Sequence, residues 1–323
     1  MVNKVKRKIV GVPTPMAGLA LGIASLGWSW ENAVDLQHYG QWISAAIASV
    51  LLLILASKFV LHHDLLRQDV AHPVVGSVVP TFAMALMVVS NSLGYASAMA
   101  GDLLWCFAVI LHISFLVGFI YHRSQHFSLP QMVPSWFIPP IGIVVADVSF
   151  SGNAHLLWIA DSALIFGMLS YAVMLPMMIY RLIFTEQIPD AAKPTLAVLA
   201  APASLSLAGY LTISSQPSPV IIGLLFGIGV LMTSIIYLSF FKLMRLPFSP
   251  GYAAFTFPMV IGATALFKVA AWMQSMDVGA EYIAQVRGLA EFELVVATAV
   301  VSYVCVRYLH FYQPISFSIS ERL

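Results

Sequence analysis

The chain has 323 residues, of which 60% are hydrophobic and only 9% are charged, and its formal net charge is +1. Soluble domains carry about 25% charged residues, so this composition indicates an integral membrane protein. The balance of charge excludes a nucleic-acid-binding surface, because no excess of Lys and Arg is available to neutralise phosphates. Cys106 and Cys305 lie in apolar runs and form neither a disulfide framework nor a zinc-binding pattern.

Ten apolar runs are long enough to cross a bilayer. They lie at about 13–30, 41–61, 74–97, 102–121, 134–150, 155–180, 194–212, 218–241, 252–273 and 288–310. Short connections join the runs, which predicts an all-α integral membrane protein with one transmembrane domain over residues 1–323. The basic start of the chain precedes a first run that we interpret as a retained span rather than a cleaved signal.

The basic residues predict the orientation of the chain, because cytoplasmic connections are enriched in Lys and Arg. Thirteen of the fifteen precede the first run, follow the last run or lie at alternate connections: Lys4, Lys6, Arg7, Lys8, Lys58, Arg67, Arg123, Arg181, Lys193, Lys242, Arg245, Arg307 and Arg322. Only Lys268 and Arg287 lie elsewhere. Both termini are therefore predicted to be cytoplasmic.

Prolines recur in the odd-numbered runs at intervals of about sixty residues, which indicates an internal repeat. They are Pro15, Pro80, Pro140, Pro202 and Pro258. The repeat predicts five helical hairpins in a quasi-five-fold arrangement, with five kinked helices around a central pore and five straighter helices outside them. Broken membrane helices usually face a cavity or protein. The alternative is that prolines are simply frequent in transmembrane helices.

The ninth run combines an aromatic ring, a proline and a cation. Phe257 directly precedes Pro258, and Lys268 follows ten residues later. A bulky ring beside a kink, with a cation further along, fits a gated anion path. The alternative is a packing helix with a snorkelling lysine.

Charged groups inside the spans are candidates for function. Helices 9 and 10 are antiparallel, so Lys268 and Glu293 can lie at similar depth. Two interpretations of Lys268 are open. It forms an ion pair with Glu293 or Glu291, or it is free and attracts anions.

Two small-xxx-small patterns, Gly18–Gly22 and Gly223–Gly227, predict close packing of helices. No catalytic or phosphate-binding motif is present in the sequence, so we predict no enzyme, no cofactor and no metal site. Any transport is then driven by a gradient.

Several segments resemble the tellurite-resistance/dicarboxylate transporter family, which includes bacterial TehA, fungal malate carriers and the slow-type anion channels of plant guard cells. The resemblance lies in Pro13-Thr14 with Gly18 and Gly22, in the run 134–140, in 200–204 and in 254–258. It implies the five-hairpin fold, a homotrimer with one pore per subunit, and a bacterial inner (plasma) membrane protein.

The resemblance further implies that Phe257, rather than Phe255 or Phe267, closes the pore. The residues expected to line the pore are Gly18, Pro80, Pro140, Pro202, Phe255 and Pro258. The predicted function is an anion channel for small anions such as chloride, nitrate, sulfite or a dicarboxylate. The alternative is a proton-coupled C4-dicarboxylate or tellurite/sulfite transporter of the same fold.

Overall fold

The computed structural model describes residues 9–312, and all regular structure in that range is helical. Part of the predicted orientation depends on residues outside the described range, namely Lys4, Lys6, Arg7, Lys8 and Arg322. The helices that matter for the site are α1 (Met16–Ala33), α2 (Tyr39–Leu61), α3 (Val75–Ala96), α4 (Ala98–Gln125), α5 (Pro134–Val148), α6 (Ala154–Phe184), α7 (Lys193–Ile213), α8 (Pro219–Leu243), α9 (Pro250–Ser275) and α10 (Ala280–Tyr312). A short helix, His63–Ala71, lies between α2 and α3.

Within residues 9–312, eight helices are long and apolar enough to cross a membrane, two fewer than the ten predicted runs. The helices that fall short are α1 and α5. The last turns of α1 carry Glu31 and Asn32, and the Glu31 carboxylate accepts hydrogen bonds from backbone N–H groups of the connection to α2, including that of Gly40 at 2.9 Å. The apolar segment α5 is shorter than a spanning helix and is broken into several turns.

The prolines of the odd-numbered helices determine where the α-helical geometry begins. A 3₁₀ segment precedes the α-helical part in three of them: Pro134–Phe137 in α5, Lys193–Ala200 in α7 and Pro250–Phe255 in α9. In α3, Pro80 caps the segment Thr81–Ala96. Proline lacks an N–H and is tolerated in the first turn, where that group would have no helical partner. The predicted kinks therefore occur mainly as changes of helix type.

The odd-numbered helices are buried and the even-numbered helices are exposed. In α9, 89% of the most apolar 18-residue stretch is buried, whereas the even-numbered helices bury between 28% and 39% of theirs. Each odd-numbered helix packs against the even-numbered helix that follows it. Contacts also run from α1 to α3, α5, α7, α9 and back to α1. The interior of the molecule is therefore built from the proline-containing helices.

Neighbouring helices satisfy the backbone groups that the broken geometry frees. From α4, His112 Nε2 donates to the Pro139 carbonyl oxygen at 2.8 Å, and Trp105 Nε1 donates to that of Ala146 at 3.0 Å. Within α9 itself, the Thr256 hydroxyl donates to the Ala253 carbonyl oxygen of the 3₁₀ segment at 2.7 Å. An unsatisfied backbone group in hydrocarbon is costly, so these contacts stabilise the irregular stretches.

The first small-xxx-small pattern packs as predicted, and the second does not pack within this chain. A Cβ built on Gly22 would lie 2.5 Å from Thr256 Cβ and 3.2 Å from Phe257 N, so α1 and α9 touch closely there. No atom lies within 4 Å of a Cβ built on Gly223 or Gly227, because both glycines face outward from α8.

We expect Gly22→Ala to destabilise the protein by about 1–3 kcal/mol, since overpacking forces α1 away from α9. The unfolding temperature of the purified protein in detergent should fall. Gly227→Ala is the matched control, because its added methyl group meets open space, and it should leave the unfolding temperature unchanged or slightly higher. Equal unfolding temperatures for the two variants would contradict the close contact.

Candidate functional site

The largest cavity lies near the N-terminal ends of the odd-numbered helices, and we call it the proximal cavity. It has an empty volume of about 560 Å³. All five odd-numbered helices line it, represented by Leu21, Thr81, Ile141, Ala201 and Phe257. A single space therefore lies between the five proline-containing helices.

A second space, the distal cavity, lies further along the same five helices. Its empty volume is about 260 Å³. Its lining includes Ser25, Val88, Val148, Leu205 and Ile261, one from each odd-numbered helix. These residues follow the named proximal lining residues of their own helices by four or seven residues, which is one or two turns, so the two cavities follow one another along the bundle.

Phe257 and Leu205 are the described residues that line both cavities. The two side chains are buried, with 7% and 2% of their surface exposed. The Phe257 ring and the Leu205 isobutyl group are both apolar. Two buried apolar side chains therefore lie where the two cavities adjoin.

The described lining of both cavities contains no charged side chain. Thr81 is the hydroxyl-bearing residue of the proximal cavity, and Ser25, Trp28 and Thr264 supply polar atoms to the distal cavity. Such a lining offers small and apolar groups rather than a fixed binding site for a large polar solute.

The structure brings four of the sequence-predicted site residues together at the proximal cavity. Gly18, Pro202, Phe257 and Pro258 all line it. Gly18 faces α9, since a Cβ built there would lie 3.5 Å from the Cβ of Ala253.

The three other predicted lining residues are not in contact with either described cavity. Pro80 and Pro140 belong to the right helices, but their neighbours Thr81 and Ile141 form the lining. Phe255 is fully buried in the aromatic cluster on the opposite side of α9, with ring centroids 4.8 Å from Tyr252 and 5.4 Å from Phe240. Two residues apart on a helix correspond to roughly 200° of rotation, which separates Phe255 from Phe257.

Lys268 lies on the same face of α9 as Phe257. Counting 3.6 residues per turn, Phe257, Ile261, Thr264 and Lys268 stay within about 60° of one another. Ile261 and Thr264 line the distal cavity, so Lys268 continues this stripe toward the C-terminal end of α9. The side chain is half-buried.

The ion pair of Lys268 with a helix 10 carboxylate is absent. Within residues 9–312, no carboxylate lies within 4 Å of Lys268 Nζ. Glu293 lies against Gly262, roughly 140° around α9 from Phe257, and Glu291 pairs with Arg287 at 3.3 Å. Gly262 precedes Lys268 by six residues, about 9 Å along α9, so Lys268 and Glu293 differ in depth as well as in the face of α9 on which they lie.

Sequence reasoning did not identify Leu205, Ile261 or Thr264 as lining residues. Their spacing from predicted site residues on the same helices could have identified them. Leu205 follows Pro202 by about one turn, and Ile261 and Thr264 follow Phe257 by four and seven residues.

Comparison with known proteins identifies relatives of this chain. The chain is 28% identical over 216 residues to an uncharacterized transporter of Methanocaldococcus jannaschii. The aligned region covers 59% of this chain and 63% of that protein. A second uncharacterized transporter of that organism is 26% identical over 228 residues, covering 62% of this chain and 65% of its own length. The chain thus spans somewhat less than two thirds of these two relatives.

The tellurite resistance protein TehA homolog of Haemophilus influenzae is 22% identical over 272 residues, covering 79% of this chain and 81% of that protein. The family model described as SLAC1, voltage-dependent anion channel, matches residues 15–309. That match covers all ten helices except the extreme end of α10. The chain therefore belongs to the SLAC1 family of voltage-dependent anion channels and related transporters.

Proposed function

We propose that this protein is an anion channel whose proximal and distal cavities are two parts of one pore. The observation that carries the proposal is that all five odd-numbered helices line both cavities, while Phe257 and Leu205 alone among the described residues line both. Family membership supports a transporter or channel. We infer that these two apolar side chains form a barrier between the cavities, because a narrow apolar constriction excludes ions by dewetting, and that the pore is closed in this conformation.

The polarity of the helices favours anions over cations in this uncharged lining. Thr81 and Ala201 begin α-helical segments of 16 and 13 residues and line the proximal cavity. A helix N-terminus carries a partial positive charge of about half an elementary charge. Two such termini, with no carboxylate in the described lining, favour a negative ion. Lys268 adds a positive charge beyond the distal cavity.

The wider architecture belongs to the same proposal. We infer ten transmembrane helices as five hairpins in a quasi-five-fold arrangement, with α1 and α5 completing the inner ring, although their own hydropathy or length is low. We also infer cytoplasmic termini, a bacterial inner membrane and a homotrimer. The described basic residues Lys193, Lys242 and Arg245 lie at the proximal side, which supports a proximal cavity that faces the cytoplasm.

The second candidate function is a proton-coupled carrier of C4-dicarboxylate, tellurite or sulfite. A coupled carrier requires a protonatable group, and Glu293 is a buried carboxyl that has no cation partner within the described residues. The separation of Lys268 and Glu293 on different faces of α9 argues against one binding site that uses both. The channel is therefore the better supported function.

Phe257→Ala should open the pore, because the alanine methyl group cannot fill the constriction between the cavities. We expect chloride current through purified protein in a planar bilayer to rise on the order of tenfold or more, which corresponds to a barrier lower by at least about 1.4 kcal/mol. Leu205→Ala should produce a smaller rise, since it removes the smaller half of the barrier.

Phe255→Ala and Phe267→Ala are the matched controls. Each removes a buried ring from α9 outside the two cavities, so each costs stability without raising the current. The gate assignment is wrong if Phe257→Ala conducts no better than the parent while eluting as an intact oligomer.

Lys268→Met in the Phe257→Ala background should lower chloride conductance a few-fold at low salt, since a positive charge near a pore mouth concentrates anions. The effect should fade at 1 M salt, where the Debye length is about 3 Å, and Lys268→Arg should preserve the current. Arg287→Gln serves as the control, because Arg287 is exposed and pairs with Glu291. Unchanged conductance of Lys268→Met at low salt would show that Lys268 lies outside the anion path.

A further inference from the structure

A small cavity lies behind α9, away from the proposed pore. Its empty volume is about 210 Å³, and residues of α7, α8, α9 and α10 line it. Glu293 of α10 reaches into this space, where Ser204 of α7 and Thr233 of α8 present their side chains. Only 3% of the surface of Glu293 is exposed.

The Glu293 carboxylate has no partner in the described part of the chain. Its Oε2 atom is buried without a hydrogen bond, and no cation lies within 4 Å. The Tyr237 hydroxyl, one turn from Thr233 on α8, is also buried without a hydrogen bond. An unpaired buried charge costs several kcal/mol, so such a group neutralises itself or binds a positive ion.

The groups that face Glu293 cannot supply a positive charge. Ser204 from α7 and Thr233 and Tyr237 from α8 are uncharged, and α9 presents Gly262. Lys268 lies on another face of α9, and Arg287 on α10 is engaged with Glu291. The remaining way to remove the negative charge is a proton, whose O–H can then donate to a hydroxyl oxygen in the cavity.

We propose that Glu293, Thr233, Ser204 and Tyr237 form a proton-binding site between α7, α8, α9 and α10. The proton binds a carboxylate oxygen of Glu293, and the hydroxyl groups of Ser204 and Thr233 in the cavity supply hydrogen-bond partners, with the Tyr237 hydroxyl buried one turn away on α8. The rest of the lining is apolar.

The site lies against the helix that carries the barrier. A Cβ built on Gly262 would lie 2.5 Å from Glu293 Oε2, so the carboxyl group touches the backbone of α9 five residues after Phe257. Loss of the proton leaves a charge that must draw in water or move away from α9. Protonation of Glu293 therefore alters the position of α9, and through it the passage of anions; this consequence rests on the proposed channel function, whereas the proton site does not.

The proton site is tested directly by infrared spectroscopy of the purified protein in liposomes. At neutral pH the parent should show the C=O stretch of a protonated carboxylic acid, which shifts in D₂O and disappears as the pH is raised. Glu293→Gln should remove this band. Glu291→Gln, an exposed glutamate on the same helix, should retain it, and Asp147→Asn should remove only the separate contribution of the other unpartnered buried carboxyl.

Absence of a band that is specific to Glu293 at neutral pH would overturn the proton site. So would a band that responds to exchange of Na⁺ for K⁺ at constant pH, since the site would then bind a metal cation. Asp147→Asn keeps the test valid if Glu293→Gln does not fold, because the band that remains in that variant, shifts in D₂O and titrates with pH then belongs to Glu293.

The transport consequence is tested by anion flux between pH 5 and 9. The parent should show a flux that depends on pH, and Glu293→Gln, which mimics the protonated form, should lose that dependence while Glu291→Gln keeps it. A Glu293 band without anion flux at any pH would support the proton site and contradict the channel. Flux with the same pH dependence in parent and Glu293→Gln would contradict the link to α9.

Discussion

The need to satisfy backbone hydrogen bonds in hydrocarbon is the constraint on which this structure depends. Proline interrupts the helical ladder of the odd-numbered helices, and lipid offers no replacement partner for the freed groups. These helices are therefore enclosed by protein, where His112 reaches the Pro139 carbonyl and Trp105 reaches that of Ala146. The even-numbered helices lie outside, although α6 also contains an internal proline, Pro176. The irregular segments of the odd-numbered helices consequently lie beside the two cavities.

The proposed closure by a ring fits the same arrangement. Small residues allow α1 and α9 to approach each other closely at Gly22, and this contact holds the start of the α-helical part of α9 in place. Phe257 lies in that first turn and lines both cavities. The proposed apolar barrier blocks ions without burying a charge, so it avoids the desolvation cost that a charged gate in this uncharged lining would carry.

Much of the fold could be predicted, because composition, the length of the apolar runs and the spacing of the prolines are all read directly from the sequence. The interior position of the odd-numbered helices follows from Pro80, Pro140, Pro202 and Pro258. The face of its helix on which each residue lies could not be predicted in the same way. Phe255 and Phe257 differ only in helical rotation, and only the family resemblance favoured Phe257. The suggested pair of Lys268 with Glu293 is absent because the run boundaries predicted neither the rotation of α9 nor the depth of the two residues to within two turns. Leu205 was missed because its role depends on a partner from another helix.

Accessibility on the two sides of the barrier tests the central claim that one path is divided by Phe257 and Leu205. In a background lacking Cys106 and Cys305, single cysteines at Met84 in the proximal cavity and at Ile261 in the distal cavity would be treated with a small, charged, impermeant thiol reagent. The account predicts that Met84→Cys reacts only from the cytoplasmic side and Ile261→Cys only from the opposite side. It further predicts that adding Phe257→Ala makes each cysteine reactive from both sides. Reaction of both cysteines from the same side with Phe257 in place would contradict the account.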